Sequence, residues 1–536
     1  MHVDLLFKNA TLVDGTGEPA RLASVAVQDG RVVGVGEIGA ERAHRVIDAD
    51  GLVLCPGFID IHTHSDVSVV LDAACQSKIL QGVTTEVTGN CSFSPFPIEP
   101  KRLTLHEDHL HRIGDGVPPL IWTDLDGYAE VIGENPPALN IAPLIGHGTV
   151  RVAVMGVDQR EPSPDELEAM RQLVARDLDQ GAFGFSTGLT HVPSAYGDES
   201  EVTELVKVVA SRDGLYATHS RNSGGGEFGS VEEALRTAIA AGARLEYSHA
   251  AINHPDRWGR AGEVVALIEE ARERGLDVGF DVYPYDASSS SLTQYLPPWV
   301  QDGGTEAMRH RLADPDTLER AEHELAAGWF GGIPWHWDRV LISRTGPGDE
   351  WCVGMTIEEA AASRSMSPAA FTLKVCIDHG NDAGVVLFYR TEEDMTTFLG
   401  HPLSVVGSDG SAVPLDQGYR RPHPRGFGTY PRVLGRYVRE QGLLSLPEAV
   451  RKMTGEVAAR LQLPDRGVVR PGTVADLVVF DPETVIDTAT FTDPARAPIG
   501  VHHVVVNGEL AVDGGDQTPV RSGRLLRREP PTTGRG

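Results

Sequence analysis

The chain has 536 residues, with 76 Asp and Glu against 47 Lys and Arg and a formal net charge of −29. Such a surplus of negative charge is repelled by nucleic acid and by anionic membranes, so nonspecific binding to either is excluded; the length allows one large domain plus a smaller one. The start, Met1 to Lys8, lacks the features of a signal peptide, no run approaches ~18 apolar residues, and five scattered cysteines (55, 75, 91, 352 and 376) give no disulfide framework, so a cytoplasmic enzyme is expected.

Taken in chain order, residues 1–56 alternate as short strands between turn residues, as in Asp4-Leu-Leu-Phe-Lys-Asn-Ala-Thr-Leu-Val. Residues 466–520 read the same way, in Ala475-Asp-Leu-Val-Val-Phe-Asp and His503-Val-Val-Val-Asn-Gly, so the two ends are expected to pair in one small β-sandwich domain. In residues 57–465, apolar or β-branched runs alternate with helical stretches such as Ser163–Gln180, Val231–Gly242 and Glu263–Gly275, the rhythm of βα units. The runs Leu54–His62, Thr84–Gly89, Asn140–Gly146, Gly181–Ser186, Gly214–His219, Ala243–His249, Leu276–Tyr283 and Leu403–Ser408 predict eight strands, the number of a (β/α)8 TIM-like barrel. A Trp-rich insertion at about 286–340 interrupts the rhythm after strand seven and is expected to lie over the mouth, and the basic tail 521–536 reads as disordered.

Chemistry-bearing residues gather at the strand ends. In Gly57-Phe-Ile-Asp-Ile-His-Thr-His the alternation of a strand points His62 and His64 to the same side, so both imidazoles can reach one ion. A second pair, His109-Leu-His111, sits in a polar stretch that reads as helix or loop, where positions two apart diverge, and is taken as a solvated face. His219 and His249 end strands five and six, and Asp409 follows strand eight, all at the face where barrel active sites are built. Cys91 follows strand two in a Gly/Asn loop and as a thiolate is a strong zinc ligand. Mixed imidazole, thiolate and carboxylate donors suit Zn²⁺ better than Mg²⁺ or Ca²⁺, and six donors exceed the needs of one open catalytic zinc, which suggests two adjacent positions.

With Thr85-Glu-Val-Thr-Gly-Asn-Cys, Ser186-Thr-Gly-Leu, Tyr216-Ala-Thr-His-Ser-Arg, Tyr247-Ser-His, Asp281-Val-Tyr-Pro-Tyr, Gly407-Ser-Asp-Gly and the closing run from Gly467 to Asp481, the chain resembles the amidohydrolase superfamily. The likeness spans almost the whole chain and is specific to the D-aminoacylase (N-acyl-D-amino-acid deacylase) branch. Many relatives bridge two metals with a carboxylated lysine after strand four, but Gly181-Ala-Phe-Gly-Phe-Ser-Thr-Gly-Leu has none. The resemblance therefore implies Cys91 as the bridge, a tight zinc on Cys91, His219 and His249, and a second, weaker position at His62, His64 and Asp409. It also implies Arg221, Tyr283 and one of Ser288 or Ser289 as ligands of the substrate carboxylate. Three departures stand out: Ala251 at a usual lysine position, His191 at a usual tyrosine, and Ser223 where an acid often follows. Arg257 and His254 are candidates for the missing charge.

The expected activity is zinc-dependent hydrolysis of a linear amide in a small molecule. Zinc lowers the pKa of bound water towards ~7 and polarises the carbonyl, while Asp409 takes the water proton and returns it to the leaving nitrogen. A hydrolase of cyclic or neutral amides, of the hydantoinase or imidase kind, is the closer alternative, although its bridging lysine is absent. A deaminase would need His-x-x-Glu where the chain has His219-Ser-Arg-Asn. A noncatalytic amidohydrolase-fold binding protein is disfavoured because all six candidate ligands are present.

Overall fold

A computed structural model describes residues 3–39, 43–114, 116–221, 227–329 and 332–529. Eight parallel strands lie side by side in chain order: β1 (Phe58–Asp60), β2 (Val83–Thr88), β3 (Asn140–Gly146), β4 (Gly184–Gly188), β5 (Leu215–His219), β6 (Arg244–Tyr247), β7 (Val278–Val282) and β8 (Ser404–Val406). The ring is closed between its first and last strands, where Thr63 pairs in parallel with Gly410 and the Asp409 N–H donates to the His62 carbonyl at 2.8 Å. Strands of a parallel barrel are covered on both faces, which is why runs such as Val278-Gly-Phe-Asp-Val are buried throughout. The helices between them start on local signals. Pro164–Asp179, for example, opens with a capping box in which Ser163 and Glu166 satisfy each other's backbone N–H, and it buries Met170, Val174 and Leu178.

The predicted first strand is two strands in two sheets. Val53–Pro56 runs antiparallel to Leu477–Phe480 in the terminal sheet, and β1 begins the barrel two residues later. Gly57 makes the transition: its N–H donates to the Asp476 carbonyl at 2.8 Å, and a Cβ there would meet Thr84 Oγ1 at 2.2 Å. The remaining terminal strands, from Val3 to Asp48 and from Val501 to Gln517, complete one nine-stranded mixed sheet in which the two ends of the chain pair. Its period-two pattern serves two cores. Leu477 and Val479 face Phe7 and Val25 inside the core of this sheet, whereas Val478 and Phe480 join the large core around the barrel.

Two boundaries depart from expectation. The insertion does not end near residue 340: Ser288–Ser291, Val340–Arg344 and Gly384–Leu387 form a three-stranded antiparallel sheet, and a separate core runs from Leu292 to Tyr389. Its later helices share the 3.6-residue period of barrel helices, and that period does not say which sheet a helix covers. The tail is ordered over 521–529. Leu526 donates its N–H to the Ile141 carbonyl at 2.7 Å and plugs the barrel interior beside Ile59 and Leu144, and Arg528 N–H donates to the Gly181 carbonyl at 2.8 Å. Backbone pairing with β3 and burial of one leucine outweigh the basic composition. Residues 530–536 lie outside the described residues. No helix among the described residues is long and apolar enough to cross a membrane.

Candidate active site

The ligand-bearing residues sit on short loops that the barrel holds under strain. Cys91, His249 and Asp409 have φ of 51°, 37° and 53°, left-handed conformations that cost about 1–3 kcal/mol each in a non-glycine residue. Neighbours fix the Cys91 loop. Asp66 Oδ1 accepts from the Gly89 N–H at 2.7 Å, and Ser186 Oγ of β4 accepts from the Ser92 N–H at 3.1 Å while donating to the Gly89 carbonyl. Gly188 allows the loop to approach, because a Cβ there would lie 2.2 Å from the Cys91 carbonyl oxygen.

The six predicted donors converge. His62 Nε2 lies 3.2 Å from Cys91 Sγ and 3.5 Å from Asp409 Oδ1, His64 Nε2 lies 3.0 Å from Asp409 Oδ1, and Cys91 Sγ lies 3.5 Å from His249 Nε2. Donor atoms of His62, His64, Cys91 and Asp409 all fall within 4.8 Å of one another. The His219 ring is 4.5 Å from that of His249, with its Nε2 2.7 Å from Thr190 Oγ1. Cys91 and His219 form a second group of candidate ligands with His191, which was read only as a departure at a usual tyrosine.

These residues fit a soft divalent cation. Sulfur, imidazole nitrogen and a single carboxylate oxygen are zinc donors, and burial holds His64, His219 and His249 below their ordinary pKa, in the neutral form that binds a metal. Burial opposes an imidazolium at His62, yet the charges of Asp281, Cys91 and Asp409 overcome it and hold His62 well above its ordinary pKa. Burial pushes the Cys91 thiol up to about 11 among the protein charges alone, and ligation of a cation opposes that shift. Asp409 is set the other way: burial would raise it, but Arg425, with Nη1 2.7 Å from Oδ2, together with His62 and His64, keeps it well below the carboxylate range. It is therefore ionised at neutral pH and able to accept a proton.

Sequence reasoning gave no role to several residues that organise this site. Asp281 of β7 accepts from the His249 N–H at 3.0 Å through one oxygen and lies 3.1 Å from His62 Nδ1 through the other, fixing both ligands. An acid inside an apolar, fully buried strand was the available signal. Arg425 and Arg390, both lying 4.7 Å from the Tyr283 ring, had no local signal at all.

A cavity of about 220 Å³ opens over the candidate metal ligands, and Tyr283, Ser288 and Ser289 line it. Arg221 does not. Its Nε donates to Glu233 at 3.2 Å and its Nη groups to the carbonyls of Ala195 and Gly197 at 3.1 and 2.6 Å, so its charge is already engaged. Arg257 and His254 lie on a surface turn away from this lining, and Ser223 lies outside the described residues. The second histidine pair is only partly a solvated face. His111 is partly exposed, but His109 is buried and stacks on Phe93 at 4.6 Å, because the helix Leu103–Leu110 packs that side beneath the Cys91 loop.

A (β/α)8 barrel with imidazole, thiolate and carboxylate donors at the ends of β1, β2, β5, β6 and β8 defines the class of metal-dependent amidohydrolases. The amidohydrolase family matches residues 45–512, and the chain belongs to it. It is 35% identical over 525 residues to the D-aminoacylase of Alcaligenes xylosoxydans xylosoxydans, covering 98% of both chains. The crystal structure of an N-acyl-D-glutamate deacylase from Bordetella bronchiseptica, complexed with zinc and a phosphonate mimic of the tetrahedral intermediate, is 33% identical with a TM-score of 0.81, covering 98% of this chain and 100% of that one. A D-aminoacylase solved for the role of its binuclear metal centre is 36% identical with a TM-score of 0.82, at the same coverage.

Proposed function

We propose that the protein is a zinc-dependent, cytoplasmic hydrolase of the linear amide bond of a small N-acyl-D-amino acid. The observation that carries this reading is the position of the Asp409 carboxylate, held between His64 and Arg425 at the rim of a sulfur and imidazole cluster. Full-length similarity to a D-aminoacylase supports the substrate class.

Cys91, His219 and His249 would hold the tight zinc, and His62, His64 and Asp409 the weaker second position, with Cys91 shared. Zinc supplies Lewis acidity there, polarising a carbonyl and acidifying water. Asp409 takes the proton of the attacking water and returns it to the departing nitrogen, which an amide requires because its anion is too poor a leaving group. Asp281 keeps the His62 ring and the His249 backbone in register. Tyr283 and the Ser288–Ser289 edge face the carboxylate end of the substrate.

The test is a panel of paired D- and L-N-acyl amino acids, cyclic imides and neutral amides offered to zinc-loaded protein. Turnover confined to the D series is the expected outcome. Cleavage of neutral or cyclic amides without any free-carboxylate substrate would overturn the deacylase assignment.

A further inference from the structure

In a chain of net charge −29, the wall of the catalytic cavity carries five arginines, Arg112, Arg344, Arg390, Arg420 and Arg425, against one acid, Asp409. A cavity so lined concentrates anions whatever the charge of the molecule as a whole. The arginines differ in what they have left to offer. Arg425 is held by Asp409, Arg112 donates to the Val192 carbonyl and to Gln301, and Arg344 is turned into the carbonyls of Gly114, His111, Arg112 and Asn381.

Arg390 is in a different position. It leaves the insertion just beyond Tyr389, and its guanidinium lies 4.7 Å from the centre of the Tyr283 ring. Its one hydrogen bond runs from Nε to Asn253 Oδ1 at 3.3 Å, and no carboxylate of the described residues lies within ion-pair distance of it. Tyr283 is buried, and Arg425, also 4.7 Å from its ring, interacts with its hydroxyl. Ala251 lines the cavity alongside both, leaving a short apolar side chain where the space between cation and phenol is open. A planar fork on the cavity wall, stacked on a phenol and with its Nη groups uncommitted to any carboxylate of the described residues, can take a carboxylate in two-point fashion.

We propose that Arg390, with the Tyr283 hydroxyl, is the specificity-determining anchor for the substrate's free carboxylate. The inference rests on the deacylase reading for the identity of the reaction, and on the cavity alone for the binding of an anion. Arg390 follows the insertion and has no hydrogen bond or ion pair with a candidate metal ligand, so it acts on substrate affinity and not on the proton transfer.

The experiment compares wild type, Arg390→Met and Arg390→Lys on an N-acetyl-D-amino acid and on its carboxamide, in which the carboxylate is neutralised. Arg390→Met is expected to raise KM for the carboxylate substrate about 10- to 100-fold, the worth of one charge-assisted pair, with kcat within a few-fold. Any residual turnover of the carboxamide should not respond to the substitution, an unchanged circular dichroism spectrum reports an intact fold, and Arg390→Lys should fall between. Equal effects on both substrates, or no effect on either, overturn the proposal. If wild type hydrolyses neither, calorimetric titration with the same N-acetyl-D-amino acid separates the cases. Binding that Arg390→Met abolishes keeps the anion anchor and removes the deacylase reading; binding unaffected by the substitution, or absent from wild type, removes the anchor.

Discussion

Asp409 meets two requirements that usually conflict, burial and ionisation. Burial alone would neutralise a carboxyl group, and the adjacent Arg425 with the imidazoles of His62, His64 and His249 reverses that. Asp409→Asn keeps the shape and removes the proton acceptor, so kcat should fall at least 10²-fold while the circular dichroism spectrum and Tm stay near wild type; retained turnover would reject the assignment. Asp281 acts one step back from the ligands. Asp281→Asn should weaken zinc binding about 10- to 100-fold in competition with a chromogenic chelator, and unchanged affinity would show that the two hydrogen bonds are incidental. At this scale the sequence was legible where a residue ends a strand or lies just beyond it, as His219 and His249 do. Asp281 was hidden because strand alternation says which face a side chain takes, not which partner it meets.

Three strands of the barrel mouth are tied together by one buried cation. Lys78, from a short helix between β1 and β2, places Nζ 2.8 Å from Asp60 of β1, 2.9 Å from Glu86 of β2, and 2.7 Å from Ser408 Oγ in the turn that carries Asp409. All of Lys78, Asp60 and Glu86 are removed from water, so deleting the cation leaves two uncompensated acids. Lys78→Met should cost about 3–5 kcal/mol of stability by urea unfolding and lower activity by loosening the Ser408–Gly410 turn; a change under about 1 kcal/mol would mean that the acids neutralise themselves instead. At the element scale the strand count could be read directly, since each barrel strand is a short apolar run. The split of the first run at Gly57 could not be, because the two strands it makes differ only in which sheet accepts their hydrogen bonds. The insertion's true extent was hidden for the same kind of reason.

Across the whole molecule, acids buried away from the catalytic centre set how stability varies with pH. Glu246 of β6 meets Arg460 Nε at 2.9 Å, yet burial dominates and raises its pKa to about 7. In the unfolded chain a glutamate titrates near ~4.3, so between those values the folded state holds an extra proton. The linkage sign is then fixed: this group makes the protein lose stability as pH rises from about 4.3 to about 7, and contributes no further change above that. Glu246→Gln should shrink the difference in unfolding free energy between pH 5 and pH 8 by about 1–3 kcal/mol; identical pH slopes for variant and wild type would refute it.

Sequence alone determined the barrel, the β-strands at the termini and the six candidate ligands that the fold brings together, because periodicity and strand-end placement are local properties of the chain. Tertiary structure alone decided which cations line the cavity. Arg221 looked committed to the cavity from its place after β5, but Glu233 and two carbonyls turn it away, whereas Arg390 and Arg425 reach the cavity from segments far along the chain. The aim of a long side chain is set by the groups that compete for its hydrogen bonds, and those groups come together only when the chain has folded.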